Sequence, residues 1–171
     1  MTADLFPGDM QSGAILSDCG RYRYLLTRTW DATLHPLCWV MLNPSTADAS
    51  VDDPTIRRCV AFSRGFGFGG LKVVNLYALR STDPKALWKA GDPVGPENDR
   101  HILDETAGEF VVAAWGANAK PARVKVVMDL IGSWALSIDC LGVTNGGQPK
   151  HPLFLAGTTK LAPFKHWEAG K

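Results

Sequence analysis

Short apolar runs alternate with segments of helical periodicity along most of the chain. Four of these runs are continuous rather than alternating, which is typical of strands covered on both faces. They span residues 38–42 (CWVML), 71–79 (LKVVNLYAL), 109–116 (EFVVAAWG) and 134–142 (WALSIDCLG). Helices are predicted between them, starting at residues 54, 84, 96 and 121. The first of these has the strongest start signal, because Asp53 can cap it and Pro54 can occupy its first turn.

The order of these elements predicts an α/β fold. Strands that alternate with helices form a parallel sheet with right-handed crossovers and helices on both faces. We therefore expect a three-layer α/β/α domain around a central, mostly parallel four-stranded sheet. Residues 12–30 are predicted to form an additional N-terminal hairpin around Asp18-Cys19-Gly20. A length of 171 residues suits one domain spanning 1–171.

The glycine-rich run GFGFGG, residues 65–70, resembles part of a dinucleotide-binding fingerprint. That fingerprint follows a strand and opens a helix. Here the run follows a predicted helix and precedes a predicted strand, so it indicates a helix stop and a tight turn.

Composition and cysteine spacing limit the classes of function that we expect for this protein. The apolar fraction of 46% and the net charge of +1 are those of an ordinary globular protein without a strongly basic coat. No C-x-x-C pair occurs, so zinc and iron–sulfur sites are not expected. With no leader-like N-terminus and no membrane-length apolar run, we expect a cytoplasmic protein that does not bind membranes. The sequence names no protein partner.

A local basic groove remains compatible with this charge. The residues that could follow a phosphate backbone also suit ordinary surface positions; they are Arg57, Arg58, Arg64, Lys120, Arg123 and Lys150. The acidic cluster Asp48, Asp52 and Asp53 has two interpretations, a divalent-metal site or a solvated turn with a helix cap. The second is favoured, and neither a metal nor a cofactor is expected.

Polar residues interrupt the chain where the predicted strands end. Asn43-Pro44-Ser45 follows the first strand, Asn75 lies in the second with Arg80 beyond it, Gly116 ends the third, and His151 lies in a loop after the fourth. Ligands bind at the carboxyl ends of parallel strands, and those ends share one rim of the sheet. The sequence therefore predicts a pocket at this rim.

Each of these residues also has a structural interpretation. Asn43 can bond its own turn, Arg80 can form an ion pair with Asp83, and His151 can be an exposed loop residue. Asn75 is disfavoured within a strand, and its buried amide would need either a ligand or a neighbouring backbone as partner.

Several strings of the sequence resemble a bacterial and phage domain family of unknown function, DUF1643. They are WVMLNPSTAD, DDPTIRRC, NLYALRSTDP and PKHPLFL, and they extend over nearly the whole chain. That resemblance carries no assigned chemistry.

The same strings are distantly similar to the uracil–DNA glycosylase superfamily. The similarity implies that Asn43 in MLNPS positions water, Asn75 in VVNLYALRSTDP reads a pyrimidine edge, and His151 in KHPLF stabilises the departing base. Gly116 in AWGANA would belong to the preceding strand-to-helix step. Three departures are present: Asn43 replaces the aspartate of the uracil-excising branch, Leu153-Phe154 replaces the serines of the histidine loop, and the iron–sulfur cysteine spacing of some branches is absent.

The expected function is recognition of a nucleobase in DNA or a nucleotide, with hydrolysis of its glycosidic bond. Pro44, Ser45 and Arg80 are predicted to contribute to binding, and Phe62, Phe66 or Tyr77 to stack on the base. Two alternatives remain open, a non-catalytic module for a modified or flipped base and a phage-type base-modification enzyme.

Overall fold

The computed structural model describes residues 10–45 and 47–165 of the chain. The described strands are β1 (Gln11–Leu16), β2 (Arg23–Thr29), β3 (Pro36–Met41), β4 (Gly70–Asn75), β5 (Phe110–Ala113), β6 (Ser137–Cys140) and β7 (Ala162–Pro163). The described helices are α1 (Pro54–Gly65), α2 (Pro84–Leu87), α3 (Asn98–Thr106) and α4 (Pro121–Ile131). None of the described helices is long and apolar enough to cross a membrane.

The described strands form one mixed sheet in the order β1-β2-β4-β3-β5-β6-β7. The neighbours β4, β3, β5 and β6 pair in parallel, whereas β1, β2 and β7 pair antiparallel at the two sides. The α/β class is thus confirmed, but the described residues form a mixed sheet of seven strands, whereas a mostly parallel four-stranded sheet with an additional hairpin was expected. The hairpin of β1 and β2 is not separate, because β2 is buried on most of its length and pairs with β4.

Two apolar clusters lie on opposite faces of this sheet. Strand β3 contributes to both, with Cys38 and Val40 on one face and Leu37, Trp39 and Met41 on the other. The first face is covered by residues of α3 and α4, and the second by residues of α1. Helix α1 therefore covers one side of the carboxyl ends of β3 and β4.

Backbone hydrogen bonding between the β3 and β4 segments continues past the ends of both strands. The N–H of Leu76 donates to Met41 O at 2.9 Å, and that of Tyr77 donates to Leu42 O at 3.0 Å. The strand expected over 71–79 ends at Asn75 because the chain then turns, although it stays buried. Its apolar run reflects burial rather than extended structure.

A β-bulge interrupts β2 near its start. Ile15 pairs with Leu25, but the next residue, Leu16, pairs with Arg23, which leaves Tyr24 as an extra residue. Tyr24 and Leu25 consequently pack in the same apolar cluster, although successive strand residues normally face opposite ways. The bulge shifts the alternation, so Arg23 reaches the face covered by α1.

The glycine run lets β4 enter between its neighbours. Helix α1 ends at Gly65 and β4 begins at Gly70, which confirms the helix stop and turn. Gly69 O accepts the N–H groups of Trp30 and Asp31 at 2.9 Å each, and a Cβ on Gly69 would lie 2.0 Å from Asp31 O. Only a glycine allows this backbone approach.

Replacing Gly69 with alanine is expected to lower the free energy of unfolding by about 1–3 kcal/mol, the usual cost of overpacking. Gly65→Ala is the matched control, because a Cβ there meets nothing within 4 Å and the residue is helical. The control should leave stability unchanged or raise it by up to about 1 kcal/mol. Urea unfolding of both variants measures the difference, and equal stabilities would contradict the steric argument.

Candidate functional site

A pocket of about 290 Å³ lies at the carboxyl ends of the parallel strands, beside the start of α1. Its walls come from the ends of β3, β4 and β5, from the beginning of β2, and from the loop that contains His151. The polar side chains among its lining include Arg23, Asn43, Ser45, Asp53, Asn75 and His151. Residues far apart in the sequence therefore meet in one small cavity.

Five of the residues singled out from the sequence line this pocket: Asn43, Ser45, Asn75, Gly116 and His151. Gly116 has a φ of 75°, in the region that favours glycine, and a Cβ there would lie 3.6 Å from the Cβ of His151. The turn at Gly116 thus sets the backbone close to the histidine loop.

Phe62 and Tyr77 do not line the pocket, contrary to the expected stacking role. Phe62 is buried under α1 against Trp39 and Phe66, and borders a separate cavity of about 450 Å³. Tyr77 packs edge-on against Trp88 in the core on the other face of the sheet. The spacing of these residues in the sequence indicates that both rings are buried, but it does not indicate which side of the sheet or which neighbours each ring faces.

Pro44 and Arg80 also lie outside the pocket lining. Pro44 is buried, and its carbonyl oxygen accepts the Ser81 N–H at 2.9 Å, so it joins the two loops that follow β3 and β4. Arg80 donates to Gly20 O at 3.3 Å, which links it to the β1–β2 turn rather than to Asp83. Both residues hold the rim together instead of facing the cavity.

The amide of Asn43 has a fixed orientation. Its Nδ2 donates to Pro44 O at 3.0 Å and to Ser81 O at 2.9 Å. Because both partners are acceptors, the nitrogen must face them, and Oδ1 remains as the acceptor. Asn43 therefore braces its own turn and still presents an oxygen.

Asn75 carries an unpaired donor at the end of β4. The residue is 1% exposed, and its Nδ2 has no hydrogen-bond partner. Its backbone oxygen accepts from Asn98 Nδ2 at 2.9 Å, but no backbone group serves its own side-chain nitrogen. Such a buried unpaired group costs about 1–3 kcal/mol.

His151 is held as a neutral hydrogen-bond donor. Its Nδ1 accepts the Leu153 N–H at 3.2 Å, so the ring proton lies on Nε2. Burial lowers the pKa of His151 from its ordinary value, and the nearby Asp53 carboxylate opposes that effect. The imidazole therefore stays neutral below the pH at which an exposed histidine would be protonated.

Asp53 brings a carboxylate to the pocket that the sequence indicated only as a cap. Its Oδ1 accepts the Ile56 N–H at 2.8 Å at the start of α1, and its Oδ2 accepts from the Ser45 hydroxyl. Of the neighbouring acids, Asp52 pairs with Arg28 at 2.8 Å and Asp48 caps the turn at Ser50. Asp53 and Asp48 thus cap a helix and a turn, and Asp52 forms an ion pair.

Arg23 also lines the pocket, although it was not predicted from the sequence. It is 2% exposed and donates to Ala47 O, while its Nε has no partner. Burial lowers the pKa of Arg23 to about 10, and Asp53 opposes that shift. The pocket therefore contains a charged group with an unused donor.

Three of the basic residues considered for a phosphate groove have well-defined partners within the fold. Arg64 stacks over Trp30, Lys120 lies over Trp88, and Arg123 is buried and pairs with Asp99. These three residues therefore contact separate parts of the fold. Across residues 10–45 and 47–165, no group of three or more His, Cys, Asp or Glu side chains is placed to hold a metal ion.

Comparison with known proteins identifies the family but not a function. The family model described as a protein of unknown function, DUF1643, matches residues 23–153, a range that includes the six polar residues named for the pocket. No curated protein shows significant similarity to the chain. The match covers most of the sequence, and the resemblance to this family is confirmed: the chain belongs to the DUF1643 family.

Proposed function

We propose that the rim pocket binds a nucleobase and that the protein hydrolyses the glycosidic bond of that base in DNA or a nucleotide. One observation carries the proposal: Asn43, Asn75 and His151, remote in sequence, line a single small cavity. Its volume of about 290 Å³ is near the lower end of ligand pockets, about 300–1,000 Å³, and suits a single small ring.

The three side chains offer complementary contacts to a base and to water. Asn75 has a free Nδ2 donor for a carbonyl oxygen on the edge of the ring. His151 offers Nε2–H to an oxygen that gains negative charge as the base departs. Asn43 Oδ1 can orient a water but cannot deprotonate it, because an amide is not a base.

In the proposed reaction, the water oxygen bonds to the anomeric carbon while the bond from that carbon to the base nitrogen breaks. The electron pair of the broken bond leaves with the base, which gains one hydrogen of the water in the net reaction. Positive charge develops on the sugar during this step. The Asp53 carboxylate lines the same pocket and supplies negative charge there.

The arrangement of the central strands supports a likeness to the uracil–DNA glycosylase superfamily. Four neighbouring strands are parallel; in chain order, the proposed water-orienting residue follows the first, the base-reading residue ends the second, and the base-stabilising residue follows the fourth. This is the order in which the superfamily presents its corresponding motifs. The likeness is part of the proposal and supports the role given to each residue.

Phe154 favours a polymeric substrate over a free nucleotide. It is 97% exposed, three positions after His151, and has a φ of 69° that a bulky residue seldom adopts. An exposed aromatic ring in the loop that carries His151 can stack on an unpaired base. We therefore favour a base that is flipped out of, or already unpaired in, a nucleic acid strand.

A second candidate is recognition of a base without cleavage. It is favoured by Asp53, because both of its carboxylate oxygens already accept hydrogen bonds. If neither carboxylate oxygen accepts a proton from water, the pocket binds its ligand and leaves the glycosidic bond intact. Base release separates the two candidates.

His151→Ala is expected to reduce base release by about 10²–10³-fold, the usual effect of removing one donor to developing charge. Asn43→Ala should also reduce it, because the water loses its acceptor. The assay uses oligonucleotides with uracil, hypoxanthine or modified pyrimidines, scored for abasic sites. His35→Ala is the matched control, since that histidine is exposed just before β3, at the opposite end of the strand.

Release at the same rate by the His151 variant and the His35 control would contradict the catalytic role of His151. Binding to any of these oligonucleotides without release by the unmodified protein would select the binding module instead.

Asn75→Leu should abolish base binding while leaving the protein at least as stable as before. The substitution removes an unpaired buried donor, and its apolar replacement has a similar size. Asn98→Leu is the matched control, because Asn98 Nδ2 donates to Asn75 O and Leu76 O, and its loss should destabilise the fold. Thermal unfolding and titration with the bound oligonucleotide test both variants. An Asn75 variant that unfolds easily but still binds would assign Asn75 a structural role.

The rate of base release should stay constant as pH falls to about 6.5, the ordinary histidine value, and decline only below it. Burial lowers the pKa of His151, and protonation of Nδ1 would break its bond to the Leu153 N–H. The stability that neutral His151 contributes is likewise complete above pH 6.5 or so and is lost as pH falls through the lowered pKa. NMR titration of the His151 ring measures the midpoint directly. A midpoint above the ordinary value would contradict the neutral-donor assignment.

A further inference from the structure

Two side-chain donors in the rim pocket are buried without an acceptor. Arg23 Nε and Asn75 Nδ2 are both buried without a partner. His151 adds Nε2–H, because its Nδ1 is occupied by Leu153. A ligand that satisfies these groups must therefore present several acceptor atoms.

Arg23 also brings a positive charge that the surrounding protein does not pair. A comparison with Arg28 on the same strand is informative, since the two residues are 2% and 1% exposed. Arg28 forms an ion pair with Asp52 at 2.8 Å, whereas Arg23 has no ion pair among the described residues. The Asp53 carboxylate in the same pocket is directed to Ile56 and Ser45. Buried charges are normally paired, so Arg23 lacks the partner that its position calls for.

The backbone places Arg23 in the pocket by a specific irregularity. Without the bulge at Tyr24, alternation along β2 would set Arg23 on the same face as Leu25, in the core under α3 and α4. Bulges commonly re-aim a side chain next to a functional site. The bulge therefore supports a ligand-directed role for the guanidinium.

We propose that the rim pocket contains an anion subsite at Arg23 and that its ligand carries a carboxylate or phosphate group in addition to a base. The inference rests on the proposed nucleobase function and narrows its substrate class. A guanidinium offers parallel N–H donors that match the two oxygens of either group. Plain uracil has no such group and would leave the charge unpaired.

Isothermal titration of the full chain with paired ligands tests the subsite. Uracil is compared with orotate, which adds a carboxylate to the ring, and uridine with uridine 5′-monophosphate, which adds a phosphate. Inorganic phosphate alone forms a fifth arm. We expect the charged member of one pair to bind at least about tenfold more tightly than its neutral partner. The pair that shows the difference identifies the source of the anion.

Arg23→Met should remove that preference, because it keeps the length of the side chain without its charge. Arg23→Lys should reduce it, since an ammonium keeps the charge but lacks the forked donors. Arg100→Met is the control for net charge, because Arg100 is exposed on α3 and pairs with Asp104. If the methionine variant does not fold, the preference of the unmodified protein should still shrink as salt is raised, and a preference independent of salt would count against the subsite.

The outcomes separate this inference from the proposed function. Equal affinity for neutral and charged ligands would overturn the anion subsite and leave nucleobase binding intact. Binding of phosphate through Arg23 with no binding of any base would support the subsite and overturn the nucleobase proposal. The absence of binding in all five arms would overturn both.

Discussion

The rim pocket depends on hydrogen bonds that continue between two chain segments after their strands have ended. The loops beyond β3 and β4 stay joined through Met41–Leu76, Leu42–Tyr77 and Pro44–Ser81 backbone bonds. Buried backbone groups need such partners, so the two loops stabilise each other where the regular sheet stops. Asn43 strengthens the junction by donating across it to Ser81 O. The residues that follow β3 are thereby fixed beside Asn75 rather than left mobile at the edge of the fold.

Two kinds of buried polar residue surround this junction. In one kind the side-chain donors are paired within the fold, and in the other a donor that lines the pocket has no partner. Asn98 and Arg28 use their donors on backbone oxygens or an acidic partner. Asn75 and Arg23, at comparable depth, each keep a nitrogen without a partner. Natural proteins accept such local costs mainly where function requires them. Among these four residues, the buried donors without a partner both lie in the wall of the pocket, whereas the unpaired atom of Asn98 is an acceptor, Oδ1.

Local sequence signals were sufficient for the elements and for part of the site. The Asp53-Pro54 start of α1 was predictable because capping and proline preferences act within a few residues. Asn43, Asn75 and His151 were predictable because parallel strands direct their carboxyl ends to one rim. Arg23 was not, since its position requires both the pairing of β2 with β4 and the bulge, and these depend on residues distant in the chain. The directions of Phe62 and Tyr77 were missed for a related reason: spacing indicates burial, but tertiary packing decides which neighbours a ring meets.

The bulge in β2 has a consequence for how this family can diversify. Inserting a single codon between Ile15 and Leu16 would give Tyr24 a partner in β1, restore regular alternation in β2 and turn the guanidinium of Arg23 to the opposite side of the sheet. Every other wall of the cavity comes from later segments and would keep its sequence. A lineage could thus exchange a cavity that contains a guanidinium for one without it through one small insertion, and the length of β1 among relatives would record which form each of them inherited.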